Sequence, residues 1–312
     1  MDDKILKKLD ELKRERNAVI LAHNYQRPEV QDCADFLGDS LDLARTAAGV
    51  KADVIVFCGV HFMAETAAIL CPDKTVLMPD EHAGCPMADM VTARELAEVR
   101  RRHPRAAVVT YVNSSAAVKA ASDICCTSAS AVDIVRSIPG EKEVIFVPDR
   151  CLGDYVSKQL NRSLILPMGY CPTHNRILPE SIEEARQKHP NAKVIVHPEC
   201  TADVIAKADA VGSTSQMLKY CLESGEKEFI IGTEIGMLHR LSKEMPDKRF
   251  YPASPLSDCP DMKLTTLEKI IWSLEDMQRR VTVEAEIAAG ARKAIERMLE
   301  VSSQTPAKKY SS

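Results

Sequence analysis

Hydrophobic and polar positions along the chain fall into three segments that share one layout. Each segment begins with a short apolar run that predicts a buried β-strand, namely NAVILAH, AAVVTY and AKVIVH. Polar residues follow, and then come a helical stretch, a small hydroxyl-bearing turn, a second helix and a second strand. Strands that alternate with helical stretches of about ten residues predict βαβ units, with a parallel sheet in each segment.

The polar positions recur at a fixed interval. A polar residue ends each apolar run, and a hydroxyl residue lies 17 positions after it in all three segments: His23 and Ser40, Tyr111 and Ser128, His197 and Thr214. The segments repeat after 88 and then 86 residues. Because unrelated apolar strands rarely keep such an interval, the sequence predicts three homologous repeats.

The repeats predict both the fold class and the domain organisation. We expect an α/β protein of three homologous three-layer αβα sandwich domains, in which each sheet is parallel and includes a strand ending in proline (TVLMP, SLILP and KRFYP). If the domains surround a pseudo-threefold axis, equivalent positions meet at a central active site. The predicted parts are an N-terminal helix at 1–16, repeats at 17–104, 105–191 and 192–264, a helical segment at 265–300 and a disordered tail at 301–312.

A Cys-Pro dipeptide follows the last predicted strand of each repeat. Its cysteines, Cys85, Cys171 and Cys259, are 86 and 88 residues apart. The chain has 11 cysteines but no CxxC pair, which argues against a zinc ribbon. Three thiolates without a fourth equivalent favour an iron–sulfur cluster with one open iron, a Lewis acid that can promote loss of water. The alternative is that these cysteines are ordinary loop or core residues, which the shared register disfavours.

Composition and charge exclude several classes of protein. Hydrophobic residues make up 45% and charged residues 28% of the chain, which is typical of a globular protein. The net charge of −4 offers no basic surface for nucleic acid or anionic membranes, and no apolar run reaches the roughly 18–20 residues of a membrane span. The first residues are too charged for a signal peptide. We therefore predict a cytoplasmic protein without nucleic-acid or membrane partners.

Pairs of polar residues follow the first strand of each repeat, two positions apart. They are His23 and Tyr25, Tyr111 and Asn113, and His197 and Glu199. In open parallel sheets ligands bind at the carboxyl ends of the strands, so these pairs are candidate site residues. The turns GDS, CTS and GST are predicted helix N-caps, and their hydroxyls would suit a phosphate or carboxylate.

Several of these segments resemble the quinolinate synthase family. The similar segments are LAHNYQ, GDSLDLA, FCGVHFMAETA, AGCPMAD, YVNSSAAVKA, VPDRCLG, HPEC, GSTSQM, GTEIGMLHRL and CPDMK, within residues 18–270. The resemblance implies a pseudo-threefold enzyme that condenses iminoaspartate with dihydroxyacetone phosphate to quinolinate, releasing phosphate and two waters, in NAD biosynthesis. It also implies a [4Fe-4S] cluster on Cys85, Cys171 and Cys259. An L-aspartate-oxidising enzyme that supplies iminoaspartate is a further expected partner.

The catalytic residues that the resemblance implies lie on the polar pairs. Glu199 is the expected general base for proton removal and dehydration, with His197 beside it. We expect His23 and Tyr25 to act on the triose carbonyl and hydroxyl during isomerisation, and Tyr111 to donate to a carboxylate. The structural alternatives are an ion partner for Glu199 and a capped core histidine at position 23.

The implied substrate-binding residues add amide and hydroxyl groups to that set. Asn113 is expected to bind a carboxylate, and Ser128 is a second candidate for this role. Ser40, Ser213 and Thr214 would suit phosphate at helix N-termini, although each could equally be a simple cap.

Two other kinds of protein remain as alternatives. A diphthamide-forming radical enzyme also arranges three domains and three cysteines around a cluster, but HNYQ and HPEC do not resemble it. A non-catalytic iron–sulfur or phosphate-binding protein would not need histidine, tyrosine and glutamate on one axis. The CxxCxxC run that some family members carry is absent from SPLSDCPDMK, so Cys259 is the candidate ligand in that loop.

Overall fold

Three parallel sheets, one in each predicted repeat, form the framework of the protein. The computed structural model describes residues 3–304. All strand pairs within the three sheets are parallel. Helices are interleaved with the strands along the chain. The predicted fold class, an α/β protein of three αβα sandwiches, is confirmed.

The first sheet contains four strands, and six helices accompany it along the chain. The strands are β1 (Ala18–His23), β2 (Phe36–Gly38), β3 (Val54–Cys58) and β4 (Thr75–Leu77), in the order β2-β1-β3-β4. The helices are α1 (Asp3–Glu15), α2 (Pro28–Cys33), α3 (Ser40–Gly49), α4 (His61–Leu70), α5 (Pro86–Asp89) and α6 (Ala93–Arg102). Every residue of β3 is buried, because helices cover both faces of the sheet.

The second sheet is smaller. Its strands are β5 (Ala107–Tyr111), β6 (Ile124–Cys126) and β7 (Val144–Val147), in the order β6-β5-β7. The accompanying helices are α7 (Ala116–Ala120), α8 (Ala131–Arg136), α9 (Arg150–Leu160) and α10 (Pro179–Lys188), with a 3₁₀ turn at His174–Arg176. The strand predicted within SLILP does not form here. Only a single bridge joins Ile165 to Ile145 in this part of the described chain, so the prediction of a proline-ended strand in each repeat is wrong for the second repeat.

The third sheet again has four strands. They are β8 (Lys193–Val196), β9 (Ala210–Val211), β10 (Glu228–Gly232) and β11 (Arg249–Pro252), in the order β11-β10-β8-β9. The helices are α11 (Ala202–Ile205), α12 (Thr214–Glu223) and α13 (Met237–Glu244), with a 3₁₀ turn at Asp261–Lys263. Counted from its own first strand, each sheet therefore has its second strand on one side and its third on the other.

A repeated aspartate explains this common strand order. Asp35, Asp123 and Asp209 each precede the short second strand of their repeat. In all three repeats this carboxylate accepts the backbone N–H of a residue in the first strand, at 2.7–2.8 Å. The aspartate's own N–H donates to the carbonyl of that same residue at 2.8–3.1 Å. The reciprocal pair starts the edge strand in a fixed register. The sequence pattern did not predict these short strands, and placed them within helices.

The helix before each sheet packs on that sheet. Buried leucines of α1 contact the first sheet, Leu96 of α6 packs with Val108 and Ile145 of the second, and Ile182 of α10 packs with Val194 of the third. The predicted boundaries at 104/105 and 191/192 assign α6 and α10 to the preceding repeat. A division by packing would assign them to the following one.

The C-terminal segment forms two helices that join the first two repeats. They are α14 (Leu267–Asp276) and α15 (Ala285–Gln304), and Thr266 caps α14. Residues 301–304, predicted to begin a disordered tail, are the last residues of α15; the remainder of that predicted tail lies outside the described residues. None of the helices within residues 3–304 is long and apolar enough to cross a lipid bilayer.

The contact between α15 and α7 generates a stability prediction. A Cβ added at Gly290 of α15 would lie 3.0 Å from the Ala120 Cβ and 3.3 Å from its Cα and carbonyl oxygen. We expect Gly290→Ala to lower the free energy of unfolding by about 1–3 kcal/mol through overpacking, despite the better helix propensity of alanine. Urea unfolding measures the change.

Gly49, the last residue of α3, provides the matched control. It has no atom within 4 Å of an added Cβ. Gly49→Ala should leave the free energy of unfolding unchanged or raise it by up to about 1 kcal/mol. A Gly290→Ala protein as stable as the Gly49→Ala protein would show that α15 does not pack tightly on α7.

Candidate active site

The carboxyl ends of the three sheets open onto one cavity of about 250 Å³. Twelve of the thirteen predicted site residues line it, four from each repeat: His23, Tyr25, Ser40 and Cys85; Tyr111, Asn113, Ser128 and Cys171; His197, Glu199, Thr214 and Cys259. His23 and Tyr111 are the last residues of β1 and β5, and His197 directly follows β8. The structure therefore brings together the positions that the repeat places in register, as packing around a pseudo-threefold axis requires.

Ser213 is the one predicted site residue that does not line the cavity. It is fully buried and is the N-cap of α12, where its hydroxyl accepts from the Gln216 N–H while the Gln216 side chain accepts the Ser213 N–H. The hydroxyl also lies 3.4 Å from Asp39.

The other two hydroxyl turns do not cap helices as predicted. Asp39, not Ser40, caps α3 by accepting from the N–H groups of Leu41 and Asp42. Helix α8 begins three residues after Ser128. Aspartate competes with serine for the N-cap position, and the three-residue turns alone do not show which of them takes it.

Two histidines occupy equivalent places and have the same hydrogen bonding. The Nδ1 of His23 accepts from the Tyr25 N–H at 3.2 Å, and the Nδ1 of His197 accepts from the Glu199 N–H at 3.3 Å. Burial lowers the pKa of each imidazole to about 3, against the opposing charge of Glu199. Both rings are therefore neutral at pH 7, with the proton on Nε2. His197 Nε2 lies 3.2 Å from the Ser128 hydroxyl.

Glu199 is a buried carboxylate at the centre of the site. Its Oε1 accepts from the Tyr111 hydroxyl at 2.5 Å, and its Oε2 lies 2.8 Å from His174 Nδ1. Burial alone would raise the pKa of Glu199. The neighbouring His174 and His197 and the hydrogen bonds from His174 and Tyr111 outweigh it and hold this pKa below its ordinary value. Glu199 is therefore ionised and accepts hydrogen bonds from both sides.

A chain of hydrogen bonds runs from Glu199 to Tyr25. His174 Nε2 lies 2.8 Å from the Thr233 hydroxyl, and that hydroxyl lies 2.6 Å from the Tyr25 hydroxyl. Because ionised Glu199 can only accept, His174 donates to it from Nδ1. The Thr233 hydroxyl joins His174 Nε2 to the Tyr25 hydroxyl. Burial raises the pKa of Tyr25 well above its ordinary value, so this hydroxyl keeps its proton.

The sequence analysis missed His174 and Thr233. Both are buried, and neither belongs to a polar pair after a first strand. The available signal for His174 was its place three residues after Cys171. In the structure its Nδ1 lies 3.1 Å from the Cys171 sulfur. Thr233 follows β10 directly and so lies at the same sheet edge as the other site residues.

The three Cys-Pro cysteines lie half-buried on the cavity wall. Of the 11 cysteines, only one other, Cys33, is similarly accessible, and the remaining seven are buried. Burial, with smaller contributions from Glu199 and Cys259, raises the pKa of the Cys85 thiol to about 12. Burial likewise raises the pKa of Cys171, with contributions from Glu199 and Cys85. Cys171 also joins His174 and Glu199 in a group whose ligand atoms lie within 4.8 Å of one another.

Asn113 presents a polar atom with no protein partner. Its Oδ1 is buried and, among the described residues, no hydrogen bond satisfies it, although Asn113 lines the cavity. A buried acceptor without a partner is costly unless a ligand or water binds to it. This atom therefore indicates that the cavity is built to receive a polar molecule.

Comparison with known proteins identifies the family of the chain. The family profile described as NadA, "Quinolinate synthetase A protein", matches residues 7–300. The chain is 58% identical over 294 residues to a quinolinate synthase of Dehalococcoides mccartyi strain CBDB1, covering 94% of this chain and 97% of that one. It is 54% identical over 297 residues to that of Methanosarcina barkeri (95% and 97% covered) and 56% identical over 299 residues to that of Geotalea uraniireducens (96% and 98%). The chain therefore belongs to the quinolinate synthase family of enzymes.

Proposed function

We propose that this enzyme condenses iminoaspartate with dihydroxyacetone phosphate to quinolinate, with release of one phosphate and two waters, in NAD biosynthesis. The observation that carries the proposal is that twelve predicted site residues, four from each of three repeats, line one cavity. Both substrates are small polar anions, which suits a cavity to which each repeat contributes hydrogen-bonding groups. An L-aspartate-oxidising enzyme would supply the iminoaspartate.

The residues on the cavity wall fit a [4Fe-4S] cluster. Cys85, Cys171 and Cys259 provide three soft donors in the lining of the cavity, each half-buried, whereas most other cysteines of the chain are buried in the core. We propose that these three hold the cluster. When bound, such a cluster would supply one open iron as a Lewis acid for a substrate oxygen.

Glu199 is the proposed general base. It is ionised, and its two oxygens are held by Tyr111 and His174, so its position is fixed before the substrate binds. The hydrogen-bonded path through His174 and Thr233 connects it with Tyr25. A proton can therefore move between the base and the Tyr25 hydroxyl without leaving the buried site.

The remaining polar residues of the cavity are proposed to supply hydrogen bonds to the substrates. His23 and His197 carry their protons on Nε2, so they can donate to carbonyl or carboxylate oxygens. Tyr111 and Asn113, with Ser128, are the proposed carboxylate-binding groups.

Ser40 and Thr214 are the proposed phosphate-binding hydroxyls. Both line the cavity, as the first residues of α3 and α12. Ser213 positions the second of these residues through the cap of its helix. Asn24, which donates to the Thr214 hydroxyl at 2.7 Å, holds that hydroxyl toward the first repeat.

Replacing the cluster cysteines tests the proposed ligand set. Changing Cys85, Cys171 or Cys259 to serine should abolish stable cluster binding, because a hydroxyl is a poor substitute for a thiolate. Iron and sulfide content and the visible absorption of anaerobically purified protein measure the loss. Cys33→Ser is the matched control, since Cys33 is equally accessible but lies outside the cavity. Equal iron loss from the control would refute the ligand assignment.

Replacing Glu199 tests the proposed base. Glu199→Gln keeps the shape but removes the base, so kcat for quinolinate formation should fall by at least about 10²-fold. Iron content, measured on the same preparation, should stay at the wild-type level. Near-normal turnover would mean that Glu199 is structural.

Replacing Thr233 tests the path to Tyr25. Thr233→Val keeps the volume but breaks both hydrogen bonds, and we expect kcat to fall by about ten-fold or more. Thr233→Ser retains the hydroxyl and should keep kcat within about three-fold of the wild type. If the valine and serine variants behave alike, the hydroxyl has no part in the reaction.

A further inference from the structure

An acid–base pair, formed by one buried and one partly buried side chain, borders the cavity without taking part in the reaction proposed above. Glu234 lies two residues after β10 and is fully buried. Its Oε1 is 2.8 Å from the Nζ of Lys263, which lies in the 3₁₀ turn that follows Cys259 and Pro260. Burying a charged pair costs desolvation energy, so the bonds that it makes with the rest of the protein need an explanation.

On one side, the pair holds the backbone of a cysteine. Oε1 of Glu234 accepts the backbone N–H of Cys259 at 3.2 Å, and Oε2 accepts the Gly236 N–H at 2.7 Å. The carboxylate therefore joins the start of α13 to the Cys-Pro loop of the third repeat. Lys263 also lies 3.8 Å from Asp258, the residue before that cysteine.

On the other side, the pair holds the backbone of a tyrosine from a different repeat. Lys263 Nζ donates to the Tyr25 carbonyl at 2.5 Å. A second bond between the same segments runs from the Arg27 side chain to the Lys263 carbonyl at 2.7 Å. Lys263 is thus the direct link between the carboxylate behind Cys259 and the backbone of Tyr25.

The packing around the pair leaves no space for an extra atom. A Cβ at Gly236 would lie 2.7 Å from Glu234 Oε2, 2.9 Å from Lys263 Nζ and 2.9 Å from the Tyr25 carbonyl carbon. The φ of Gly236 is −59°, which any residue can adopt, so close approach rather than backbone conformation accounts for the glycine.

We propose that Glu234 and Lys263 act as one positioning unit that fixes the Cys259 loop relative to Tyr25. The pair would keep a cluster ligand from the third repeat in register with a reacting hydroxyl from the first. This inference rests on the proposed function, because it takes Cys259 as a ligand and Tyr25 as a reacting residue. Groups that orient a metal ligand affect the retention of the metal although they do not touch it.

The experiment compares iron retention in variants of the cluster-loaded enzyme. The variants are Lys263→Met, Glu234→Gln and the double substitution, and the readouts are the rate of iron release to a ferrous chelator and the electron paramagnetic resonance spectrum of the reduced cluster. Lys13→Met is the matched control. The Lys13 Nζ lies 2.6 Å from Asp35 Oδ1, and the Lys13 side chain is as exposed as that of Lys263 (18% against 17%). Unlike the Glu234–Lys263 pair, however, the Lys13–Asp35 pair lies outside the cavity.

We expect each single variant to release iron at least about ten-fold faster than the wild type and the control, with an altered spectrum. Because the two residues act together, the double variant should release iron no faster than the faster single variant. Release within two-fold of the control, or multiplicative effects in the double variant, would overturn the proposal. A wild-type protein that binds no iron would instead refute the proposed function, and the positioning role with it.

Gly236→Ala tests the same unit with every charge retained. The added methyl group must displace Glu234 or Lys263, so iron release should again accelerate relative to Gly49→Ala, where the added Cβ meets no atom. A Gly236→Ala enzyme that keeps its iron as well as the Gly49→Ala enzyme would show that the pair does not position the loop.

Discussion

The burial of one ionised carboxylate organises the site. Glu199 lies where the three sheets meet, and an isolated carboxylate there would be very costly. Hydrogen bonds from Tyr111 and His174 stabilise it, with His197 alongside. This charge anchors the chain of hydrogen bonds that runs through His174 and Thr233 to Tyr25. It also adds to the effect of burial in raising the pKa of the neighbouring Cys85 and Cys171 thiols.

The fold was largely predictable because each repeat uses the same backbone hydrogen bonds. Asp35 and its equivalents lie at corresponding positions and set the same strand order in each sheet. The equal spacing of the repeats in the sequence therefore reflects the same arrangement of strands in the three sheets. The carboxyl end of each first strand faces the cavity. The short second strands β2, β6 and β9 escaped prediction because two or three residues within a longer polar segment are too few to show the alternation of a strand.

The parts of the site that escaped prediction are those that break the repeat. The sequence pattern shows no equivalents of His174, Thr233 and Glu234 in the other repeats. Only the structure, in which they are buried around Glu199 and Cys259, shows what they contact. The capping of α3 by Asp39 rather than Ser40 is likewise decided by local geometry. A repeat thus predicts where side chains converge, whereas their hydrogen bonds depend on tertiary contacts between repeats.

The most direct test of the account is an anaerobic assay of the purified enzyme with its two proposed substrates. The account predicts quinolinate and inorganic phosphate in equal amounts, from a protein that contains about four irons per chain, as a cubane requires. A colourless protein that binds stoichiometric zinc, or an iron-loaded protein that forms no quinolinate from iminoaspartate and dihydroxyacetone phosphate, would contradict it.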